Sequence, residues 1–269
     1  TAPLGKEYQN FLSKGLESGW VDVYESENKR NGAYSSGCYD SMPYILMNYN
    51  NELNAVFTLA HEAGHSMHSL LSRRHQPYIY SDYSIFVAEV ASTFNEEMLY
   101  DYLLERADSQ QEELYLLDSQ INAIKGTLFR QVMFAEFELM IHQLDESDKP
   151  ITHNLLNEEY KKINRFYFGH HVFIDDEIEV EWTRISHFYY NYYVYQYATG
   201  ISAAIALHQM VKNGAETERD RYLQFLKSGN SKYPLEVLKD TGVDMTTTEP
   251  VIKAIKKFEV LISRMEKLL

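Results

Sequence analysis

One cysteine, Cys38, is all the thiol in this chain of 269 residues. An internal disulfide is therefore excluded, and the composition suits a reducing, cytoplasmic compartment. No motif supports that thiol as a nucleophile. Basic residues are also scarce: 25 Lys and Arg stand against 39 Asp and Glu, a formal net charge of −14. Such a surface repels phosphates, which argues against nucleic acid as a partner. No apolar run approaches membrane-spanning length, and Thr1–Tyr8 lacks signal-peptide character, so no membrane partner is expected. Internal repeats and low-complexity tracts are absent as well. What remains is 45% hydrophobic, enough to fill the core of a single domain spanning 1–269.

The most informative segment is His61-Glu62-Ala63-Gly64-His65. Val56, Leu59, Ala60, Ala63, Met67 and Leu70 recur at spacings of three and four, which predicts a helix. Residues four apart share a helix face, so His61 and His65 can bind one metal ion. Glu62 lies about 100° further around the helix and can reach water on that metal. A metal lowers the pKa of its bound water, and Glu62 is the base that takes the proton as water attacks a carbonyl. The competing reading is a solvated helix face that happens to carry two histidines.

A catalytic zinc takes three protein ligands and keeps one position open. The nearest downstream candidate is Glu89, set among Phe86, Val87, Val90, Ala91, Phe94 and Met98 on a second helical stripe. An unpaired carboxylate there would be costly, and a metal offsets the cost. Glu96, two turns along the same face, is the alternative ligand, while Glu97 reads as surface. A link containing Gln76-Pro77 folds the second helix back antiparallel to the first. Metzincin chemistry is excluded, because the places it reserves for Gly and His hold His68 and Leu71. His68 shares the face of His61 and His65. It reads as a hydrogen-bonded histidine, with a supporting role to the metal as the alternative.

Along the chain, residues 1–50 carry turn formers and β-prone runs at 20–24 and 44–49, expected to form a small antiparallel sheet. Its edge could pair with an extended peptide. From 51 to 269 the pattern is helical, with helices expected at 52–73, 82–107, 109–146, 152–168, 186–212, 216–228 and 249–268. The carboxylate-rich 175–181 alternation reads as a strand or lid with a solvated face. The fold class is mainly α.

These residues resemble oligoendopeptidase F, a branch of the thimet-oligopeptidase-like zinc metallopeptidases. The resemblance rests on TLAHEAGHSMH at 58–68 and FVAEVASTFNE at 86–96. It extends to GAYSSG at 32–37, PYILMNY at 43–49 and HFYYNYYVYQYATG at 187–200. It implies a multi-helix, zincin-like catalytic domain holding one Zn2+ per chain on His61, His65 and Glu89, with Glu62 as general base. It also implies hydrolysis of internal bonds in short oligopeptides. Members of the family carry a long helical N-terminal half, so this chain resembles the C-terminal catalytic part, with a separate N-terminal half as a partner.

In the related family a histidine and tyrosines from the 187–200 region face the zinc and stabilise the oxyanion. A neutral phenol or a protonated histidine is a suitable donor at neutral pH. On a continuous helix His187, Tyr190 and Tyr197 share one face and are assigned this role. Tyr192 and Tyr195 share another face and stand in reserve. The alternative for the whole chain is a non-catalytic helical fragment with a structural zinc that complements a partner chain.

Overall fold

The computed structural model describes residues 1–269. In chain order it forms α1 (Gly5–Glu17), β1 (Val21–Asp22), β2 (Tyr34–Ser36), β3 (Tyr44–Leu46), α2 (Leu53–His75) and α3 (Ile85–Leu104). These are followed by α4 (Gln110–Ile124), α5 (Arg130–Glu146), α6 (His153–Phe168) and α7 (Tyr195–Asn213). The chain finishes with α8 (Glu216–Leu226), α9 (Pro234–Thr241) and α10 (Glu249–Glu266). The fold is mainly α, as expected. No helix is long and apolar enough to cross a membrane. The chain divides into two compact units, one built from 1–121 with 200–269 and the other from 122–199.

In the larger unit, the core forms where Met67, Leu70 and Leu71 of α2 meet Val87, Val90, Ala91 and Phe94 of α3, with Ala203, Leu207, Tyr222, Phe225 and Leu238 around them. Pairing across α2 and α3 runs in opposite senses. Asn95 reaches the Ala60 carbonyl, His61 meets Glu96 and His65 meets Glu89. The two helices are therefore antiparallel, as the Gln76-Pro77 link predicts: Gln76 is extended and ends α2 before the proline. Arg73, Arg74 and His75 fill the last turn of α2, where cations suit the helix dipole.

The small sheet has the order β1-β3-β2, with β1 parallel and β2 antiparallel to β3. It is thus mixed rather than purely antiparallel. The central place goes to the strand with the buried side chain, Ile45, only 1% exposed. Ahead of it, α1 was not expected. Its Tyr8, Phe11 and Leu12 have helical spacing and join the core, and Gly15 lets the Trp20 ring lie directly on the helix backbone. A second unexpected helix, α9, opens on Pro234 and closes on Gly242 at φ 97°.

The smaller unit packs Met133, Phe134 and Phe137 of α5 against Leu156 and Tyr160 of α6, with Ile185 and Val194. The expected helix 109–146 is continuous but passes through a π-helical stretch at Lys125–Phe129. The acidic 175–181 segment is not a strand. It is the start of a 3-10 helix, Asp176–Arg184, whose Ile178 and Trp182 pack into this core. The expected helix 186–212 is broken into a 3-10 turn, Ser186–Tyr189, and α7.

Candidate metal centre and catalytic site

The antiparallel pairing of α2 and α3 brings three donors together. His61 Nε2 lies 3.2 Å from His65 Nε2 and 3.3 Å from Glu89 Oε2, and His65 Nε2 lies 3.6 Å from Glu89 Oε2. A tetrahedral zinc with bonds of about 2.05 Å holds its ligand atoms about 3.35 Å apart. The observed spacing fits that requirement from two neutral-capable imidazoles and a carboxylate, the donor types a catalytic zinc uses.

Each donor is held by a neighbour. His61 Nδ1 donates to Glu96 Oε1 at 2.5 Å, which leaves the Nε2 lone pair directed at the other donors. Glu96 is thus the partner of His61 and not a member of the donor trio. His65 donates to the Ala88 backbone carbonyl. Ser92 Oγ donates to Glu89 Oε2 at 3.2 Å. A Cβ added at Gly200 of α7 would lie 3.3 Å from the Glu89 Cβ, so that glycine sets how closely α7 approaches the carboxylate stem.

Without metal, these groups hold protons unlike free side chains. Burial alone would lower His61, but Glu89 and Glu96 override it and lift its pKa to about 10. Burial would raise Glu89, yet its hydrogen bond to His61 and the adjacent imidazoles bring it to about 2. Burial lowers His65 to about 4. Charge is therefore already separated at the site, and a cation bound there would replace a proton.

Glu62 is buried at 7% exposure and accepts a backbone hydrogen bond from Ser35 of β2. Ser35 Oγ is also 2.8 Å from Ser66 Oγ on α2, which fixes the strand against the helix. Burial raises the Glu62 carboxyl, and Glu89 adds to the effect while His61 opposes it. A carboxylate with a raised pKa is a better proton acceptor near neutrality.

One neighbour differs from expectation. Glu97 is not surface: it is 3% exposed, accepts from Gln120 Nε2 at 3.0 Å and pairs with Lys257 of α10. Helix α3 is enclosed on more sides than one apolar stripe implies, and a lysine from a distant helix neutralises the charge. His68 stacks on Tyr83 at 3.7 Å, and its Nδ1 has no protein hydrogen-bond partner. Its ring packs as an aromatic against Tyr83 and Phe225.

Within the smaller unit, His187, Tyr190 and Tyr197 do come together, though not as one helix face. The Tyr197 hydroxyl lies 3.4 Å from His187 Nε2 and 3.3 Å from the Tyr193 hydroxyl. Tyr190 lies with its ring 6.5 Å from that of His187. Tyr193 had not been singled out, yet its ring stacks on His187 at 5.2 Å and 10°. Tyr192 turns away and stacks on His142 at 4.4 Å, and Tyr195 is exposed at the start of α7. Helical spacing could have found Tyr193, which stands three residues after Tyr190 and four before Tyr197.

A helical pair presenting His-Glu-x-x-His and a downstream glutamate defines a class of peptidase, and the sequence profile of peptidase family M3 matches residues 3–257. The chain belongs to that family. Within it, the resemblance to oligoendopeptidase F holds. The chain is 55% identical over 268 residues to oligopeptidase PepF of Bacillus subtilis, covering 100% of this chain and 40% of that protein. It is 46% identical over 267 residues to the plasmid-encoded oligoendopeptidase F of Lactococcus lactis subsp. cremoris, covering 99% and 44%. Among solved structures, a protein from Chlamydophila abortus superposes with a TM-score of 0.90 at 49% identity, over 100% of this chain and 45% of that one. The oligoendopeptidase-F of Enterococcus faecium gives a TM-score of 0.70 at 44% identity, over 80% and 39%. The chain thus spans less than half the length of each of these relatives.

Proposed function

We propose that this chain carries the catalytic centre of a zinc-dependent endopeptidase that cleaves internal bonds of short oligopeptides in the cytoplasm. The observation that supports the reading best is the set of three donors 3.2–3.6 Å apart with a buried carboxylate, Glu62, next to His61 in the chain. His61, His65 and Glu89 hold the metal. Zinc, when bound, acidifies a water molecule and polarises the scissile carbonyl. Glu62, held by the Ser35 backbone, removes the proton from the attacking water and delivers it to the departing nitrogen. His187 and Tyr197, with Tyr190, are the donors proposed for the carbonyl oxygen as it becomes an oxyanion. β2 lies at an edge of the sheet, and backbone groups of that edge are proposed to pair with an extended substrate. Restriction to short peptides is proposed to depend on the additional chain that the longer relatives possess.

A structural zinc in a non-catalytic fragment is the other reading. It expects a fourth protein ligand, and the cluster offers three. The two readings separate on cleavage of an internally quenched peptide of about ten residues, before and after chelation and zinc restoration. Glu62→Gln should keep zinc stoichiometry and lower turnover by about 10²–10⁴-fold. Full activity in that variant would remove Glu62 from the mechanism. Zinc retained with no turnover in the wild-type chain would favour the structural reading, or dependence on the rest of the longer enzyme.

A further inference from the structure

Between the 3-10 turn at Ser186–Tyr189 and α7, two residues with side chains adopt left-handed backbone conformations: Asn191 at φ 32° and Tyr192 at φ 54°. That conformation is unfavourable for tyrosine and persists only where surrounding structure enforces it. The enforcement comes from α5. The Glu138 carboxylate, 3% exposed, accepts the Tyr192 N–H at 2.6 Å. Four residues on, His142 stacks against the Tyr192 ring at 4.4 Å and 22°. One face of α5 thus holds residue 192 by its backbone and by its ring.

The bend has a chemical consequence. Along a straight helix, positions 187 and 197 would be separated by about 15 Å of axial rise. Here the Tyr197 hydroxyl is 3.4 Å from His187 Nε2, and Tyr193 lies flat on the His187 ring. A buried carboxylate in apolar surroundings is costly unless it is hydrogen-bonded, and a backbone N–H at this distance is a strong charge-assisted donor. Phe134 and Phe137 of α5 already fill the apolar core, so position 138 contributes hydrogen bonding where packing would suffice for stability alone.

We infer that Glu138 is a positioning residue that holds the 190–194 bend and so gathers His187, Tyr193 and Tyr197 into one donor group. Its effect on catalysis rests on the proposed use of that group at the oxyanion; its effect on geometry does not. The test uses the 269-residue chain with 13C-labelled histidine, the His187 resonances being those lost in His187→Gln. Glu138→Ala should move the His187 ring resonances, because the parallel Tyr193 ring no longer shields them, while His61 and His65 stay in place. Glu138→Gln, whose amide oxygen still accepts the N–H, should leave them near wild type. In quenched-peptide assays Glu138→Ala should lower kcat about 10–100-fold with KM changed less than about threefold, and Glu138→Gln should recover most of the loss. Should the alanine variant not fold, Glu138→Asp carries the same test, since it keeps the charge and withdraws the carboxylate. Unmoved His187 resonances in a folded alanine or aspartate variant would overturn the inference. Shifted resonances with kcat intact would uphold the positioning role and remove the donor group from the reaction.

Discussion

Gly64 sits between His61 and His65, the histidines proposed to hold the metal, and replacing it with alanine tests what sets the donor spacing. A Cβ there would lie 2.6 Å from the Ala91 carbonyl oxygen and 2.6 Å from Ser92 Cα, both backbone atoms of α3. Backbone cannot rotate away, so the helices themselves must yield. Relief to an ordinary contact needs about 0.8 Å of separation. Applied across the site, that movement takes the Glu89-to-histidine distances from 3.3 and 3.6 Å to about 4.1 and 4.4 Å, well beyond the tetrahedral spacing. Rotation of the Glu89 side chain recovers part of this. Gly64→Ala should therefore weaken zinc binding about 10–100-fold, or about 1.4–2.8 kcal/mol, and destabilise the metal-free protein by about 1–3 kcal/mol. The assay is competition with a chromophoric chelator, alongside urea unfolding of the metal-free form. Gly200→Ala, with its milder 3.3 Å approach to Glu89, should give a smaller loss. Gly126→Ala, whose Cβ would meet nothing within 4 Å, should leave zinc affinity unchanged. A folded Gly64→Ala protein with wild-type affinity would refute the argument that helix contact fixes the donor spacing.

Two further outcomes follow from the protonation of the site and its surroundings. With its pKa raised to about 10, metal-free His61 carries a proton at pH 7.5, so zinc binding should release about one proton and strengthen as pH rises. Calorimetric titration in two buffers of different ionisation enthalpy measures this, and buffer-independent heats would contradict it. His68 is depressed to about 3 by burial, with a smaller contribution from His65. A depressed folded pKa means that the unfolded chain binds the extra proton first, so stability is present above about pH 6.5 and declines as pH falls toward 3. By pH 5, His68 alone should cost about 2 kcal/mol relative to neutral pH. Urea unfolding of the metal-free protein at the two pH values, compared with His68→Gln, would show a shallower loss in the variant; an identical loss would assign the acid sensitivity elsewhere.

The larger features were legible where periodicity and chemistry act locally. Helices α2 and α3 have clear apolar spacings, and the histidine pair followed from a one-turn separation alone. Choosing between Glu89 and Glu96 required more, because both lie on the same face of α3. The structure separates them by level: antiparallel pairing sets Glu89 beside His65 and Glu96 behind His61. Glu97 was misread because its charge is neutralised by Lys257, 160 residues away, and no local pattern reports a partner at that distance. The 186–212 stretch reads as one helix for a similar reason. Tyr192 takes a left-handed conformation that tyrosine disfavours, and the stabilising carboxylate comes from α5. By contrast, α9 carried readable signals in Pro234 and Gly242, outweighed by the short length of the helix.

All three donor residues, the Glu96 support and Glu62 lie between positions 61 and 96, on one helical hairpin whose link is only nine residues, 76–84. Little loop entropy is needed to bring such neighbours together, and contacts of short sequence separation form early in folding. The metal centre can therefore assemble while distant parts of the chain are still unordered. Metal held there as proposed would then act as a fastener on the helix pair around which Phe225, Leu238 and the other late-sequence residues complete the core. Removing the ion should accordingly loosen this hairpin first and leave the 122–199 unit, with its own apolar centre, comparatively intact.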